Sequence, residues 1–270
     1  MSALMSGSRE WLKRGLAAGL LAVVSLMGAG VVSAASSAVP LETMEPDLHD
    51  QPSLQRGMQL YTNYCLGCHS LQYQRYSRAA EDLGMPEDLV EQYLILSPAL
   101  KINDTMRTGM QKEDAAGWFG TPPPDLSLEA RLRGTDWIYT YLKSFYRDAS
   151  RPWGVNNAVF PQVGMPHVLE SLQGVQEKVC GQSDLAVAGA EIDPDTGRYA
   201  SCDILEITQP GSMTAGEFDQ AMWDLTNFLA YVGEPSRLKA ESMAPKVLIF
   251  ILIFTLLAYL LKKEYWRDIH

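Results

Sequence analysis

The chain has 270 residues, 47% of them hydrophobic, and 32 Asp and Glu against 22 Lys and Arg, for a formal charge of −10. That balance disfavours nucleic acid, whose phosphates call for basic surfaces, and suits a basic protein partner. Between two apolar ends lie about two hundred residues, the length of one domain with a core of its own.

At the N-terminus, Arg9, Lys13 and Arg14 precede an apolar, small-residue block from Gly15 to Val32. Val32-Ser33-Ala34 fits a small-x-small cleavage site, so residues 1–34 read as a secretory signal and the mature chain starts near Ala35. An uncleaved signal anchor would export the following domain equally well. A mitochondrial transit peptide fits less well, because arginine is sparse and the block is continuous rather than amphipathic.

Pro52 opens a helix in which Leu54, Met58 and Tyr61 recur at helical spacing as far as Cys65. Gly57 interrupts it, which predicts close approach of another helix there. Then comes Cys65-Leu66-Gly67-Cys68-His69, the C-x-x-C-H signature of covalent c-type haem attachment. Residues three and four apart share a helical face. Cys65 and Cys68 can therefore form thioethers to the two haem vinyl groups, and His69 can offer a ring nitrogen to the iron. A zinc half-site would need about four N/S ligands, and no second C-x-x-C exists in the chain. A thioredoxin-like redox pair would not need the adjacent histidine.

Leu71 to Arg78 continues the haem-flanking segment, and Pro86 to Leu96 reads as a short helix. Gly117 to Pro124 is rich in Gly, Pro and aromatic residues and reads as extended or turn. Asp125 to Tyr146 reads as helical, with Leu128, Leu132, Trp137, Tyr141 and Phe145 as an apolar stripe broken at Gly134. Arg151 to Gly164 reads as loop. Cys180 and Cys202, both in the exported domain, predict a disulfide. The segment they enclose, Gly181 to Ser201, reads as an acidic, irregular loop with a turn at Asp193-Pro194-Asp195-Thr196-Gly197. Thr214 to Val232 is the clearest helix, with Phe218, Met222, Leu225, Phe228, Leu229 and Val232 on one face and Glu234-Pro235 as its stop. No alternation is long enough to demand a sheet.

Val247 to Leu261 is apolar apart from Thr255, and with Met243 to Lys246 it can cross ~30 Å of hydrocarbon as a helix. Lys262 and Lys263 follow, and Tyr259, Tyr265 and Trp266 suit the interface. The expected layout is a signal over 1–34, an exported domain over 35–242, a transmembrane helix over 243–262 and a cytoplasmic tail over 263–270. Flanking basic residues balance, so the signal, not the positive-inside rule, sets this orientation. The segment 35–243 holds 29 Asp and Glu and 15 Lys and Arg, so the acidity sits in the exported domain.

The sixth iron position decides function, since an open site activates small molecules and a closed one shuttles electrons. Met58 and Met222 lie in helix stripes and read as core. Met165 stands apart in Gln162-Val163-Gly164-Met165-Pro166-His167, far enough downstream of His69 to fold over the opposite haem face. The residues alone favour Met165, with His167 as its rival.

From about Leu41 onward the chain resembles the cytochrome c1 family, the membrane-anchored haem subunits of ubiquinol–cytochrome c reductase. Gln55-Arg56-Gly57-x-Gln59-x-Tyr61-x-x-Tyr64-Cys65 leads into Cys68-His69-Ser70. Pro123-Pro124-Asp125-Leu126-Ser127 precedes Arg131-x-Arg133, and Met165-Pro166 follows. Asp224-Leu225-x-Asn227-Phe228-Leu229-x-Tyr231-x-x-Glu234-Pro235 leads to the C-terminal anchor. The resemblance implies a mostly α, class-I-like cytochrome c domain with long loops, one covalent haem c, and one C-terminal transmembrane helix. It implies His69 and Met165 as iron ligands, with the Pro122–Leu126 segment, including Pro123, walling the haem. It implies that Arg133, and less directly Arg131, pairs with a haem propionate near Trp137.

The resemblance also implies cytochrome b as anchor, a Rieske iron–sulfur protein as electron donor and a soluble or tethered cytochrome c as acceptor, at a bacterial inner membrane with the haem domain in the periplasm. The segment between Cys180 and Cys202 departs from mitochondrial relatives. Competing readings are a haem enzyme, which commonly needs a second haem or an open iron, and a terminal-oxidase haem subunit, which usually carries an N-terminal anchor or two haem motifs. In a cytochrome f the attachment motif sits close to the mature N-terminus, whereas here about thirty residues precede Cys65.

Overall fold

The computed structural model describes residues 39–183 and 190–267. The expected signal, 1–34, and the last three residues of the expected tail lie outside the described residues.

Helix α1 (Gln51–Leu60) begins where the Asp50 side chain accepts the Ser53 amide at 3.0 Å and Pro52 occupies the first turn, where its missing N–H costs nothing. It runs straight into one wide turn of π-helix, Tyr61–Cys65. Such turns are rare and concentrate at functional sites. Leu54, Met58 and Tyr61 are fully buried, so the predicted stripe faces the core. The long helix α8 (Ala215–Gly233) starts with a reciprocal capping box between Thr214 and Glu217. Its predicted apolar face is buried throughout, and Asp224, Thr226 and Asn227 are buried with it.

The two helices cross at Gly57. A methyl group there would sit 2.2 Å from the Asp224 carbonyl oxygen and 2.6 Å from Phe228 Cβ, so only glycine admits this approach. Polar bonds fix the register: the Arg56 guanidinium donates twice to the Asp224 carboxylate, at 2.6 and 3.0 Å, and Asn227 Nδ2 donates to Asp47 O at 2.8 Å and Ser53 Oγ at 3.1 Å.

Strand β1 (Leu71–Arg75) pairs antiparallel with β2 (Thr105–Met106), enclosing helices α2 (Tyr76–Asp82) and α3 (Glu87–Tyr93). Residues 71–78 are therefore a strand turning into a helix. Helix α4 (Lys112–Phe119) ends at Gly120, whose φ of 80° lets the chain leave in the left-handed conformation. The expected extended segment from Gly117 thus begins three residues late.

The helix expected over Asp125–Tyr146 is shorter and divided: α5 (Glu129–Arg133), Gly134 at φ 88°, then α6 (Thr135–Lys143). Phe145 and Tyr146 belong to β3 (Phe145–Arg147), which pairs with β4 (Val155–Asn157) inside the expected 151–164 loop. Leu128 and Leu132 are 50% and 75% exposed, so the stripe starts only at Trp137. The break at Gly134 changes the face that α5 presents.

The largest departure lies beyond α7 (Glu170–Gln173). Strands β5 (Gly174–Ser183), β6 (Glu191–Ile192) and β7 (Tyr199–Pro210) form an antiparallel sheet ordered β5-β7-β6; the irregular loop expected over Gly181–Ser201 overlaps the facing ends of β5 and β7 and contains β6, while the turn expected at Asp193–Gly197 is present. Cys180 and Cys202 are disulfide-bonded across it. The sheet leaves no period-two signal because register shifts interrupt its pairing at Val175/Gln176 and Val179/Gly181, and much of both long strands is exposed. The described residues are thus helical at the core with three small sheets around it.

Helix α9 (Arg237–Tyr265) leaves the domain just after Pro235, has no buried residue, and is long and apolar enough to cross a membrane. At ~1.5 Å per residue its 29 residues span about 43 Å, beyond a ~30 Å hydrocarbon core at both ends. Its first turns touch the domain through the His49–Glu241 contact at 3.0 Å.

Candidate haem site

The attachment segment is one continuous turn. Cys68 N and His69 N both donate to Cys65 O, at 3.0 and 2.9 Å, which brings Cys65, Cys68 and His69 to one side. Tyr61, fully buried beneath, donates its hydroxyl to His69 O at 2.6 Å. The next segment is tied back over this turn: Leu126 N donates to Ser70 O, Gln72 N to an Asp125 carboxylate oxygen, and Thr108 Oγ1 to Gly67 O.

This tie places Pro124 O 2.7 Å from His69 Nδ1. A carbonyl can only accept, so Nδ1 carries the proton and Nε2 presents its lone pair. Burial lowers the His69 pKa despite the Pro124 bond, which favours the neutral ring that a metal requires. Burial also pushes the Cys65 thiol up to about 12. That is the reverse of a redox-active pair, whose nucleophilic thiol is held low. Among the described residues no group of His, Cys, Asp and Glu side chains forms a metal-holding cluster, which leaves the zinc reading without a site.

Cys65, Cys68 and His69 open onto a cavity of about 400 Å³. Its walls come from Pro122–Pro124 and Leu126, from α6 through Trp137, Ile138, Tyr141 and Leu142, from α8 through Leu225 and Leu229, and from the loop carrying Val163, Gly164 and Met165. The lining is overwhelmingly apolar. Its charged members are Glu129 and Arg133, already paired at 2.8 Å. The Arg133 guanidinium also lies 4.3 Å from the centre of the Trp137 ring and 5.6 Å from that of Phe160. Two thiols, an imidazole with a free Nε2 and a thioether on one apolar cavity of cofactor size are a donor set that fits haem c.

The cavity thus gathers Cys65, Cys68, His69, Pro123, Arg133, Trp137 and Met165. Arg131 stays outside it: its aliphatic chain packs against Gly233 and its guanidinium reaches Glu234 at 3.9 Å. His167, the rival ligand, is also absent from the lining. It stacks on Phe145, with ring centres 4.8 Å apart, and burial lowers its pKa to about 4. Sequence reading missed three supports of the Met165 loop. Arg151 donates to Gln162 O at 3.0 Å, Asn156 Oδ1 accepts the Gln162 amide at 2.8 Å, and the Tyr141 hydroxyl donates to Met165 Sδ at 3.4 Å. Tyr141 sat within a recognised apolar stripe, but nothing in the sequence revealed where its hydroxyl would point.

A helical domain with a c-type attachment turn, an apolar haem-sized cavity and an exposed apolar C-terminal helix defines a membrane-anchored c-type cytochrome. The chain belongs to the cytochrome c1 family: the family profile matches residues 44–176 and 211–269, leaving out most of the β5–β7 sheet. It is 45% identical to cytochrome c1 of Allochromatium vinosum over 251 residues, covering 93% of this chain and 98% of that one. It is 41% identical to a protein named ammonia monooxygenase gamma subunit from Nitrosomonas europaea, covering 93% and 97%. Identity to cytochrome c1 of Rhodospirillum rubrum is 27%, covering 82% and 83%. As a family member the chain is an electron-transport subunit of the cytochrome bc1 complex, anchored in a membrane and carrying one covalently bound haem c.

Proposed function

We propose that this chain takes single electrons from a Rieske iron–sulfur protein and gives them to a soluble or tethered c-type cytochrome, while cytochrome b anchors it in the bacterial inner membrane. In this reading the domain is a class-I-like cytochrome c domain with added sheets. Residues 1–34 act as a signal, 35–242 lie in the periplasm, 243–262 span the membrane within α9, and 263–270 end in the cytoplasm. An exported domain followed by a stop-transfer helix supports that orientation.

When bound, the haem supplies a one-electron ferric–ferrous couple. The chain's own residues do the rest. Cys65 and Cys68 hold the group covalently, and Pro124 O keeps the His69 imidazole in the tautomer whose Nε2 faces the metal. Met165, in the same lining, would supply a thioether ligand, and a histidine–methionine pairing would raise the potential of the couple. Pro122–Pro124, Leu126 and Trp137 wall the cavity against water, and Arg133, the cation in its lining, would pair with a propionate. The single observation that carries the reading is that His69 and Met165 line the same cavity, so that the two together could hold a haem iron without leaving a position for a substrate.

The same point weighs against a haem enzyme, including a monooxygenase role suggested by the name of the Nitrosomonas relative. Glu129 is engaged by Arg133, and His69 by Pro124. The test is an optical spectrum of the purified full chain beside Met165→Leu, oxidised and reduced, with and without carbon monoxide. The wild type should show the weak red-edge band of methionine-ligated ferric haem and ignore carbon monoxide, and Met165→Leu should lose the band and bind the gas. Carbon monoxide binding by the wild type, or an unchanged variant, would overturn the assignment.

A further inference from the structure

We propose that Tyr141 is a positioning residue for Met165: its hydroxyl holds the thioether and withdraws electron density from the sulfur, raising the potential of the haem. This rests on the reading of Met165 as ligand and adds a residue that sets how that ligand performs.

Both partners stand on fixed supports. The Tyr141 ring stacks on Trp137, with centres 4.9 Å apart and planes 10° apart, and meets Phe145 edge-on at 5.1 Å. Its backbone carbonyl accepts Asn157 Nδ2 at 2.8 Å, tying α6 to β4. The Met165 loop leaves β4 through Gln162, a non-glycine residue at φ 64°, a conformation that costs energy and needs surroundings to impose it. Asn156 and Arg151 impose it from either side of that peptide. Between these supports the Tyr141 hydroxyl meets Met165 Sδ at 3.4 Å.

The direction of the bond is fixed. A thioether sulfur has no proton to give and can only accept, so the phenol hydroxyl is the donor. A thioether has two lone pairs, and one suffices for the metal while the other accepts the hydroxyl. Withdrawing density makes the sulfur a poorer donor. Ferric iron, the form more dependent on donation, loses more than ferrous, and the potential rises.

The experiment compares haem-loaded, detergent-solubilised full chains: wild type, Tyr141→Phe, Tyr139→Phe and Met165→Leu. Tyr141→Phe keeps the ring and its stacking and removes one oxygen. Tyr139 is the control, a tyrosine on the same helix whose hydroxyl goes to Asp219. Redox titration should show Tyr141→Phe favouring the ferric form about fivefold over wild type, a fall of ~40 mV at ~59 mV per tenfold for one electron. Its methionine–iron band should persist, with no carbon monoxide binding, and Tyr139→Phe should titrate as wild type. An unchanged or raised potential in Tyr141→Phe with the band intact overturns the proposal, as does an equal shift in Tyr139→Phe. Failure of the underlying reading looks different: Met165→Leu would keep the band and stay closed to carbon monoxide.

Discussion

Replacing Gly57 with alanine tests whether the α1–α8 crossing holds the attachment turn in place. The added methyl would lie 2.2 Å from Asp224 O and 2.6 Å from Phe228 Cβ, where carbon contacts below about 3.0 Å essentially never occur. One atom is backbone and the other is the stem of a fully buried phenylalanine, so neither can swing aside. The helices must part by about 0.8 Å, stretching the Arg56–Asp224 and Asn227–Ser53 bonds that flank the crossing. Overpacking of this kind costs ~1–3 kcal/mol, more where backbone must move. Alanine returns up to ~1 kcal/mol of helix propensity. A net loss of about 2 kcal/mol in a domain of this size lowers Tm by roughly 4–8 °C. Thermal unfolding of the haem-loaded chain, followed by circular dichroism, gives the value. A Tm equal to or above wild type would refute the steric argument, since propensity would then be the only effect.

Lys143 → Met should destabilise the domain by about 1–2 kcal/mol, discounted because the partner carboxylates of Glu42 and Asp219 are 40% and 50% exposed. Burial alone would lower the Lys143 pKa, but its bonds to Asp219 and Glu42 raise it above the ordinary 10.5. A raised folded-state value means a contribution complete below 10.5 and lost only as pH climbs through the folded value. Urea unfolding should therefore give the same wild-type–variant difference at pH 8 and pH 10, and a difference already gone at pH 10 would contradict the assignment. Arg133→Leu should lower the haem potential, because the Glu129 carboxylate would then face the cavity unpaired and favour the ferric state. Arg131→Leu, outside the cavity, should leave it within error; equal shifts in a redox titration would show that the two arginines are not distinguished as described.

Much of this protein was legible because its chemistry is written locally. C-x-x-C-H needs only one turn to present two thiols and an imidazole, so spacing and geometry coincide. The α1 and α8 stripes are buried as read, because a 3.6-residue period over ten or more residues leaves one side for the core. Gly57 announced its crossing because an interior helical glycine needs a packing reason. The apolar run of α9 could be read for its length alone.

What tertiary structure decided are matters of direction and partner. Arg131 and Arg133, two residues apart on one short helix, must point to different sides, but which of them meets the cavity and which meets Gly233 was decided by the packing of α5 on α8. The β5–β7 sheet exists through backbone pairing across a bulged register and a disulfide, neither of which imprints a hydrophobic period. The tautomer of His69 depends on a carbonyl 55 residues away, and the hydroxyl on Met165 comes from a helix 24 residues before it. The sequence by itself determined which groups could bind a haem, because covalent attachment and helical burial are short-range in the chain. Only the folded structure decided how those groups are held, because hydrogen-bond partners and cavity walls are brought together by contacts that no local spacing encodes.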